Sequence, residues 1–463
     1  MSRQTPRIPC FRAYDIRGRV PEELNEELVY DIGRAYVTFV RPRGAVVVGY
    51  DVRHSSPALA EALIRGINDA GADTINIGMC GTEVVYFAAA QPGIGGGIMV
   101  TASHNPAEYN GIKFVREKAI PISGDSGLRD IEAIVAEKRF APAVEKGKNT
   151  ARDITEEYLE KVLSFVDEKA LSPLRLVANA GNGCAGPYLE LLRERLPLEI
   201  AVVDGKPDGS FPHGIPNPLL PERRERTAAA VREHGADLGV AWDGDFDRCF
   251  FYDEQAKFIE GYYLVGLLAQ EMLRKEPGQR IIHDTRLTWN TIDLVRQAGG
   301  IPVQSKTGHA FMKERMRAED ALYGGEMSAH HYFRGFSYCD SGMIPWLVVC
   351  AILSRTGRKL SELVGEREEL YPCSGEINMD VEDKAGAIER VRRHYEKEQP
   401  AVDETDGLSM EFGRRWRFNL RPSNTEPVLR LNVEAYRDRQ LVQEKAEEIV
   451  ALATGQEGQQ CSQ

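Results

Sequence analysis

Asp243, Asp245 and Asp247 stand at alternate positions in the stretch DGDFDR. In extended chain, side chains two residues apart point to the same side. Three carboxylates so placed repel one another unless a cation sits among them, and hard oxygen donors suit Mg²⁺ or Ca²⁺. The pattern overlaps an EF-hand loop, with Glu254 at its twelfth position. Its sixth position, however, is Arg248, where that loop needs a glycine, and RCFFYD continues as a strand. A solvated acidic turn is the plain alternative. The apolar lead-in LGVAW, which reads as buried strand, favours a divalent-cation site.

TASHNP, from Thr101 to Pro106, closes the apolar run GGGIMV and delivers Ser103 and His104 to a strand end. A serine there is ordinarily a cap or turn residue, and the GxSxG elbow of a hydrolase nucleophile is missing. A serine that carried phosphate would bring about two negative charges and would need a metal and cations beside it. The aspartate cluster, Lys113 in NGIKF and Arg248 supply both. GEMSAHH offers Glu326, Ser328, His330 and His331; a carboxylate and a hydroxyl two apart suit the vicinal hydroxyls of a sugar, with a histidine zinc site as the alternative. RPSNTEP offers Arg421, Ser423, Asn424 and Thr425, all able to bind phosphate oxygens, the arginine bidentately, unless the stretch is an ordinary polar hairpin. GNGCAG, Gly181 to Gly186, matches the dinucleotide fingerprint GxGxxG, with Asp204 about twenty residues on. The bulky PYLELL at the helix start, and the lack of any other sign of a hydride acceptor, favour a tight packing turn.

These clusters need strand ends to hold them. Strand-like runs such as AVVVGYD, LRLVANAG and QRIIHDTR alternate with helical ones such as SPALAEALIRGINDA, PYLELLRERL and TIDLVRQAG. That alternation predicts βαβ units with mainly parallel sheets, and three such blocks recur at a period of about 110–120 residues. After about residue 366, the alternating runs CSGEINMDV, WRFNLRPSN and VLRLNVEAY read as half-exposed antiparallel strands. The expected organisation is three similar α/β domains, residues 1–150, 151–253 and 254–365, and a smaller α+β domain, 366–463, around a central cleft. Open α/β sheets bind ligands beyond the carboxyl ends of their strands, where the first three clusters fall.

The composition narrows the class. The 463 residues carry a net charge of −12, which argues against nonspecific nucleic-acid binding. The eight cysteines include no CxxC pair, so zinc ribbons, dithiol chemistry and a disulfide framework are not expected. The first residues lack the apolar core of a secretory signal, and MIPWLVVCAIL is too short to cross a bilayer. A cytoplasmic protein with no membrane partner is expected, as a monomer or small homo-oligomer.

With TASHNP, DGDFDR, GEMSAHH and RPSNTEP in this order, the chain resembles the α-D-phosphohexomutases from FRAYDIRG to NVEAY, nearly its whole length. The stretch from IIHDTRLTWN through SKTGHAFMKERM to GEMSAHHYF is similar to bacterial members that act on mannose phosphates and feed GDP-mannose synthesis. The resemblance implies an active form phosphorylated on Ser103, Mg²⁺ held by Ser103, Asp243, Asp245 and Asp247, and a hexose 1,6-bisphosphate intermediate and activator. It also implies that Tyr14, Arg17, His104, Lys113, Arg248 and His309 line the reacting centre. Glu326 and Ser328 hold sugar hydroxyls with His330 nearby, and Arg421, Ser423, Asn424 and Thr425 grip the phosphate that is not reacting. Many relatives carry a lysine where this chain has His283, with Arg286 close by. The role of that lysine does not transfer unchanged. For the proton of the attacking hydroxyl, His309 in KTGH is favoured over His330, and His283 reads as a packing or hydrogen-bonding residue. The expected reaction is reversible conversion of mannose 6-phosphate and mannose 1-phosphate. Glucose phosphates as sole or additional substrates, a metal-dependent sugar phosphatase and a non-catalytic sugar-phosphate binder are the alternatives.

Overall fold

The structure, a computed structural model, describes residues 7–423 and 428–455. The chain divides into two compact units. One takes the residues up to Phe258 together with His330–Gly357, and the other takes Ile259–Ala329 and the residues from Arg358 onward.

The first unit carries two sheets. One runs in the order Ile16–Arg19, Tyr109–Arg116, Ile94–Val100, Ala45–Tyr50, Thr74–Met79 and Asn149–Ala151, parallel from Ile94–Val100 to Asn149–Ala151. Its central strands are covered on both faces, which is why AVVVGY reads as an unbroken apolar run rather than an alternating one. Helices Glu26–Val40 and Ser56–Asp69 pack their apolar stripes on it, and the first is opened by Asn25, whose side chain accepts from the Leu28 N–H at 3.0 Å. In the other sheet, Arg175–Asn179 lies between Leu238–Trp242 and Glu199–Val203, parallel to both, and Leu238–Trp242 turns back antiparallel into Cys249–Tyr252.

The run MIPWLVVCAIL forms most of helix Met343–Thr356, whose residues from Met343 to Cys350 are all buried. Among the described residues, no helix is long and apolar enough to cross a membrane. The start of this helix is tied down by Glu83. Its carboxylate accepts from the Ser341 hydroxyl at 2.8 Å, the Met343 N–H at 3.3 Å, the Gly342 N–H and the Tyr158 hydroxyl. The Trp242 indole donates to the Gly342 carbonyl at 2.9 Å, so the helix start also fixes the end of strand Leu238–Trp242.

In the second unit, strands Ile301–Gln304 and Tyr323–Gly325 flank Arg280–His283 in parallel, with helices Trp289–Gln297 and His309–Ala318 between them in sequence. A five-stranded antiparallel sheet follows, in the order Ile377–Asp380, Val428–Ala435, Trp416–Pro422, Leu408–Phe412, Ala401–Asp403. Its core joins Trp416, Phe418 and Leu431 to Tyr395 and Ile449 of the covering helices. The α/β blocks and the antiparallel C-terminal domain thus have the fold class that the sequence pattern predicts.

His331, fully buried on strand His331–Phe333, is pulled down to about 3 by burial and then by the neighbouring His330. Below pH 6.5, its ordinary value, the unfolded chain takes up a proton that the folded chain declines. Stability therefore falls as pH falls from 6.5 towards 3, with this residue contributing about 1.4 kcal/mol per pH unit. Urea unfolding at pH 6, 5 and 4 should show that slope, and His331→Gln should reduce it by about that amount.

Candidate functional site

Ser103 follows strand Ile94–Val100 on a loop with almost no freedom. Its backbone is left-handed, with φ +50°, a conformation a non-glycine residue holds only where the surroundings enforce it. The enforcement comes from a buried arginine that sequence reading passed over. The Arg53 guanidinium donates to the carbonyls of Ser103 at 2.9 Å, Asn105 at 2.6 Å, Pro106 at 2.6 Å and Tyr109 at 2.9 Å. Asp51 orients it through a 3.2 Å contact with Nε and also accepts from the Ser56 and Thr101 hydroxyls, at 2.5 and 2.7 Å. Thr101 in turn accepts the Ser103 N–H at 2.9 Å. Arg17 reaches the same loop by donating to Asn105 and is held by Asp15 at 2.8 Å. Tyr14 lies half-buried three residues before it.

The Ser103 hydroxyl donates to Asp243 Oδ2 at 2.6 Å, across the gap to the loop that ends strand Leu238–Trp242. Arg248 Nε donates to the same oxygen at 2.8 Å. Lys113 Nζ bridges Asp245 and Asp247 at 2.8 and 2.6 Å. Thr82, also unpredicted, donates its hydroxyl to Asp245 and its N–H to the Asp245 carbonyl at 3.0 Å. All three aspartates are buried. Burial and then the charges of Asp245 and Asp243 push the Asp247 carboxyl up. Burial would also raise Asp245, but the Lys113 ammonium holds it far below the carboxylate range. The Arg248 N–H donates to His104 Nδ1, which lies 3.0 Å from Ser103 Oγ. Arginine does not give up its proton, so Nδ1 is the acceptor and the imidazole is neutral. Burial, Arg248 and Arg17 all press its pKa the same way, well down.

This loop fits a divalent cation. One oxygen from each of Asp243, Asp245 and Asp247 lies within 4.8 Å of the others, and Asp245 Oδ1 and Asp247 Oδ1 are buried with no hydrogen-bond partner among the described residues. Orphaned anionic oxygens at such a point are what a hard cation satisfies. Asp247 also neighbours His330 and Asp340, and the His330 Nδ1 lies 2.9 Å from Asp340 Oδ2.

GNGCAG supports the aspartate loop from behind. The Cys184 N–H donates to the Gly244 carbonyl at 3.0 Å. A side chain on Gly183 would meet that carbonyl at 2.7 Å, and one on Gly244 would meet the Ser103 carbonyl at 2.6 Å. The glycines bring three backbone segments together, which accounts for the motif by packing.

The second unit gathers the remaining residues around Arg286, which is buried. Its Nη2 donates to Asp284 Oδ2 at 2.6 Å and to the Ser328 hydroxyl at 3.3 Å, and it lies 3.7 Å from Glu326 Oε1. Asp284, Glu376 and Glu326 outweigh burial and push its pKa up. Glu326 accepts the Gly308 N–H at 2.8 Å, beside His309 at the start of its helix. His283 is buried, and its Nδ1 lies 2.8 Å from the Asp284 carbonyl. Arg421 is buried near Glu376 and Asp406, and the Ser423 N–H donates to the Val428 carbonyl at 2.9 Å. Asn424 and Thr425 lie outside the described residues. Asp284, Glu376 and Arg417, which donates to the Thr285 and Arg286 carbonyls at 2.9 Å each, join this group without having been singled out.

Four domain models of one family match in order. These are phosphoglucomutase/phosphomannomutase alpha/beta/alpha domains I (residues 9–142), II (156–257) and III (260–371), and the C-terminal domain (376–452). A Xanthomonas campestris protein named "Phosphohexose mutases" is 56% identical over 97% of this chain and 100% of its own length. An Escherichia coli protein named "Phosphomannomutase" is also 56% identical, over 96% and 99%. Among solved structures, a phosphoglucomutase/phosphomannomutase family protein from Burkholderia thailandensis superposes with a TM-score of 0.86 at 32% identity, covering 96% of this chain and 97% of that one.

The Arg53 geometry has a direct consequence. A lysine keeps the charge but cannot serve four carbonyls at once. Arg53→Lys should lower stability by about 2–4 kcal/mol, since buried carbonyls lose their donors. Urea unfolding at fixed pH measures it.

Proposed function

The chain belongs to the phosphoglucomutase/phosphomannomutase family, and from that premise we propose that it is a phosphomannomutase, working through phosphorylated Ser103 and a hexose 1,6-bisphosphate intermediate. The observation that carries the reading is the setting of the Ser103 hydroxyl, 2.6 Å from Asp243, 3.0 Å from the His104 ring and 3.4 Å from Arg248 Nη2. This is a hydroxyl held rigidly among cations and a cation-binding loop.

In the forward step, the bond between phosphorus and Ser103 Oγ breaks while the free sugar hydroxyl forms a new bond to phosphorus. The hydroxyl proton passes to a base, and the departing Ser103 oxygen takes up a proton as its bond to phosphorus breaks. In the second half-reaction Ser103 Oγ loses that proton, bonds to the other phosphorus of the bisphosphate, and the sugar oxygen released there is protonated, which restores phosphorylated Ser103. Ser103, fixed by Arg53 and Thr101, needs little reorganisation, and Arg248 and Lys113 offset the charge that develops on the transferred group. When bound by Asp243, Asp245, Asp247 and an oxygen of the Ser103 phosphate, Mg²⁺ supplies further neutralisation of that charge. Within the unit that holds Ser103, His330 suits the proton. Its Nδ1 lies 2.9 Å from a carboxylate oxygen of buried Asp340, and a proton held on Nδ1 beside that charge would leave Nε2 as the acceptor. On this reading His330 is preferred to His309, the reverse of the preference drawn from sequence. Glu326 and Ser328 read two sugar hydroxyls, and Arg421 and Ser423 hold the phosphate that is not transferred. The substrates are small hexose phosphates, and the reading implies a cytoplasmic location.

Two outcomes test this. Purified protein should carry one phosphate by intact mass. Ser103→Ala should lose both the phosphate and turnover, by at least ~10³-fold, and a chelator should stop the wild-type enzyme. A label that maps to another residue would remove Ser103 from the mechanism. Mannose and glucose differ only at C2, and no residue of the proposed sugar contacts is dedicated to it. In a coupled assay primed with glucose 1,6-bisphosphate, mannose 1-phosphate and glucose 1-phosphate should both turn over, within ~10⁴-fold of each other in kcat/KM. Release of inorganic phosphate in place of isomerisation would identify a phosphatase instead.

A further inference from the structure

Three guanidinium groups of the second unit converge on one carboxylate. Glu376 Oε2 lies 3.4 Å from Arg286 Nη1 and 3.6 Å from Arg421 Nη2, and Oε1 lies 3.3 Å from Arg430 Nη1. The arginines are not equally committed elsewhere. Arg286 is closely paired with Asp284 at 2.6 Å. Among the described residues, Arg421 has a looser setting, with its nearest second carboxylate, Asp406, 4.0 Å away, and its buried Nε has no hydrogen-bond partner. The Arg421 side chain is 2% exposed, whereas that of Glu376 is 23% exposed. Burial, and then the charge of Arg286, pull the Arg421 pKa down, a sign of cationic crowding that its two carboxylates do not fully offset.

A carboxylate at these distances is poorly matched to its partners. Close arginine–carboxylate pairs fall near 2.7–2.9 Å, and all three contacts here are longer. Glu376 therefore sits where an anion is wanted without taking up the full donor capacity around it. A phosphate, with more acceptor oxygens and more charge, can use donors that Glu376 leaves unfilled. Fully unopposed arginines would hold such an anion tightly. In the reaction proposed above, the same bisphosphate must be bound first by one phosphate and then by the other, so an over-tight grip slows turnover.

We propose that Glu376 is an affinity-setting residue, a built-in anion that competes with the sugar-borne phosphate for Arg286, Arg421 and Arg430. The inference deepens the assignment of Arg421 to phosphate binding and rests on it. Glu376 touches no reacting atom; it sets how firmly the non-reacting phosphate is held and how readily it leaves. A merely structural Glu376, which aimed the arginines, would give the opposite sign, because its loss would scatter the donors and weaken binding.

The test is inorganic phosphate binding to the full chain by calorimetry, which needs no turnover. Glu376→Gln should bind phosphate ~5-fold or more tightly than wild type, the order expected for removing one partly exposed opposing charge. Glu376→Ala, which opens the same charge gap without demanding that a new side chain fit, should shift it in the same direction. The gain should vanish when either change is combined with Arg421→Gln, which places the effect at this cluster. In turnover, Glu376→Gln should lower KM and kcat together. Unchanged or weaker phosphate binding in the Gln and Ala variants, or a gain that survives Arg421→Gln, overturns the proposal. Tighter phosphate binding in a protein that turns over no hexose phosphate upholds the role of Glu376 and rejects the catalytic reading instead.

Discussion

Three aspartates are buried within a few ångströms of one another, and most of the first unit is arranged so that they can be. An unpaired carboxylate taken from water costs several kcal/mol, and Asp243, Asp245 and Asp247 share one loop. Lys113 supports two of them and Arg248 the third. Thr82 and Ser103 add hydroxyl donors from other strand ends. Each of these groups comes from a different part of the fold. The sheet carrying Lys113, the helix opened at Thr82 and the strand before Ser103 must therefore be in place together. The charge cluster and the architecture support each other: the fold brings the cations, and the cations make the fold's acidic loop tolerable.

Ser103 is fixed by the same logic applied to backbone. A strand-end loop leaves carbonyls without ladder partners, and buried carbonyls must be satisfied. Arg53 meets four of them with one planar group, itself neutralised by Asp51. The left-handed turn at Ser103 then becomes part of a fixed loop. This separates the holding of the loop from the chemistry of the hydroxyl. Arg53 binds only the loop's backbone, and the Ser103 side chain remains directed to Asp243.

How much of this was legible follows from distance along the chain. The aspartates announce themselves because alternate acidic residues after an apolar strand are costly without a cation, and that argument is local. The parallel blocks and the antiparallel C-terminal strands are local in the same way, since burial on two faces or one writes a different pattern. Arg53 and Thr82 carry no such signature. Each is one polar residue near a strand or helix end, and their partners lie up to 56 and 163 residues away. GNGCAG gave an ambiguous signal for a physical reason. Close approach of backbone to backbone and of backbone to pyrophosphate impose the same demand for missing side chains, and only Gly244 and Ser103 lying behind the turn distinguish them. His283 and Arg286 show the opposite case, in which a change from the family pattern was visible but its meaning was not. Arg286 turns out to be the centre of a network, while the His283 ring is engaged with the carbonyl of the next residue.

The two charged clusters solve different problems with the same residue types. Around Asp243, acids and bases alike are buried, the acids at 0–2% exposure, and the pairing distances are 2.6–2.8 Å. Separating such a pair exposes an uncompensated charge to a medium that cannot solvate it, so the arrangement is permanent. Around Arg421, two of the bases, Arg286 and Arg421, are buried and the shared acid is partly wet, at 23% exposure and 3.3–3.6 Å. An acid that can return to water gives up little when another anion takes its place. A site that must remain assembled through every turnover needs the first construction. On the proposed reading, a site that admits and releases a phosphate on every turnover suits the second, and the depth at which each carboxylate is set is what makes the difference.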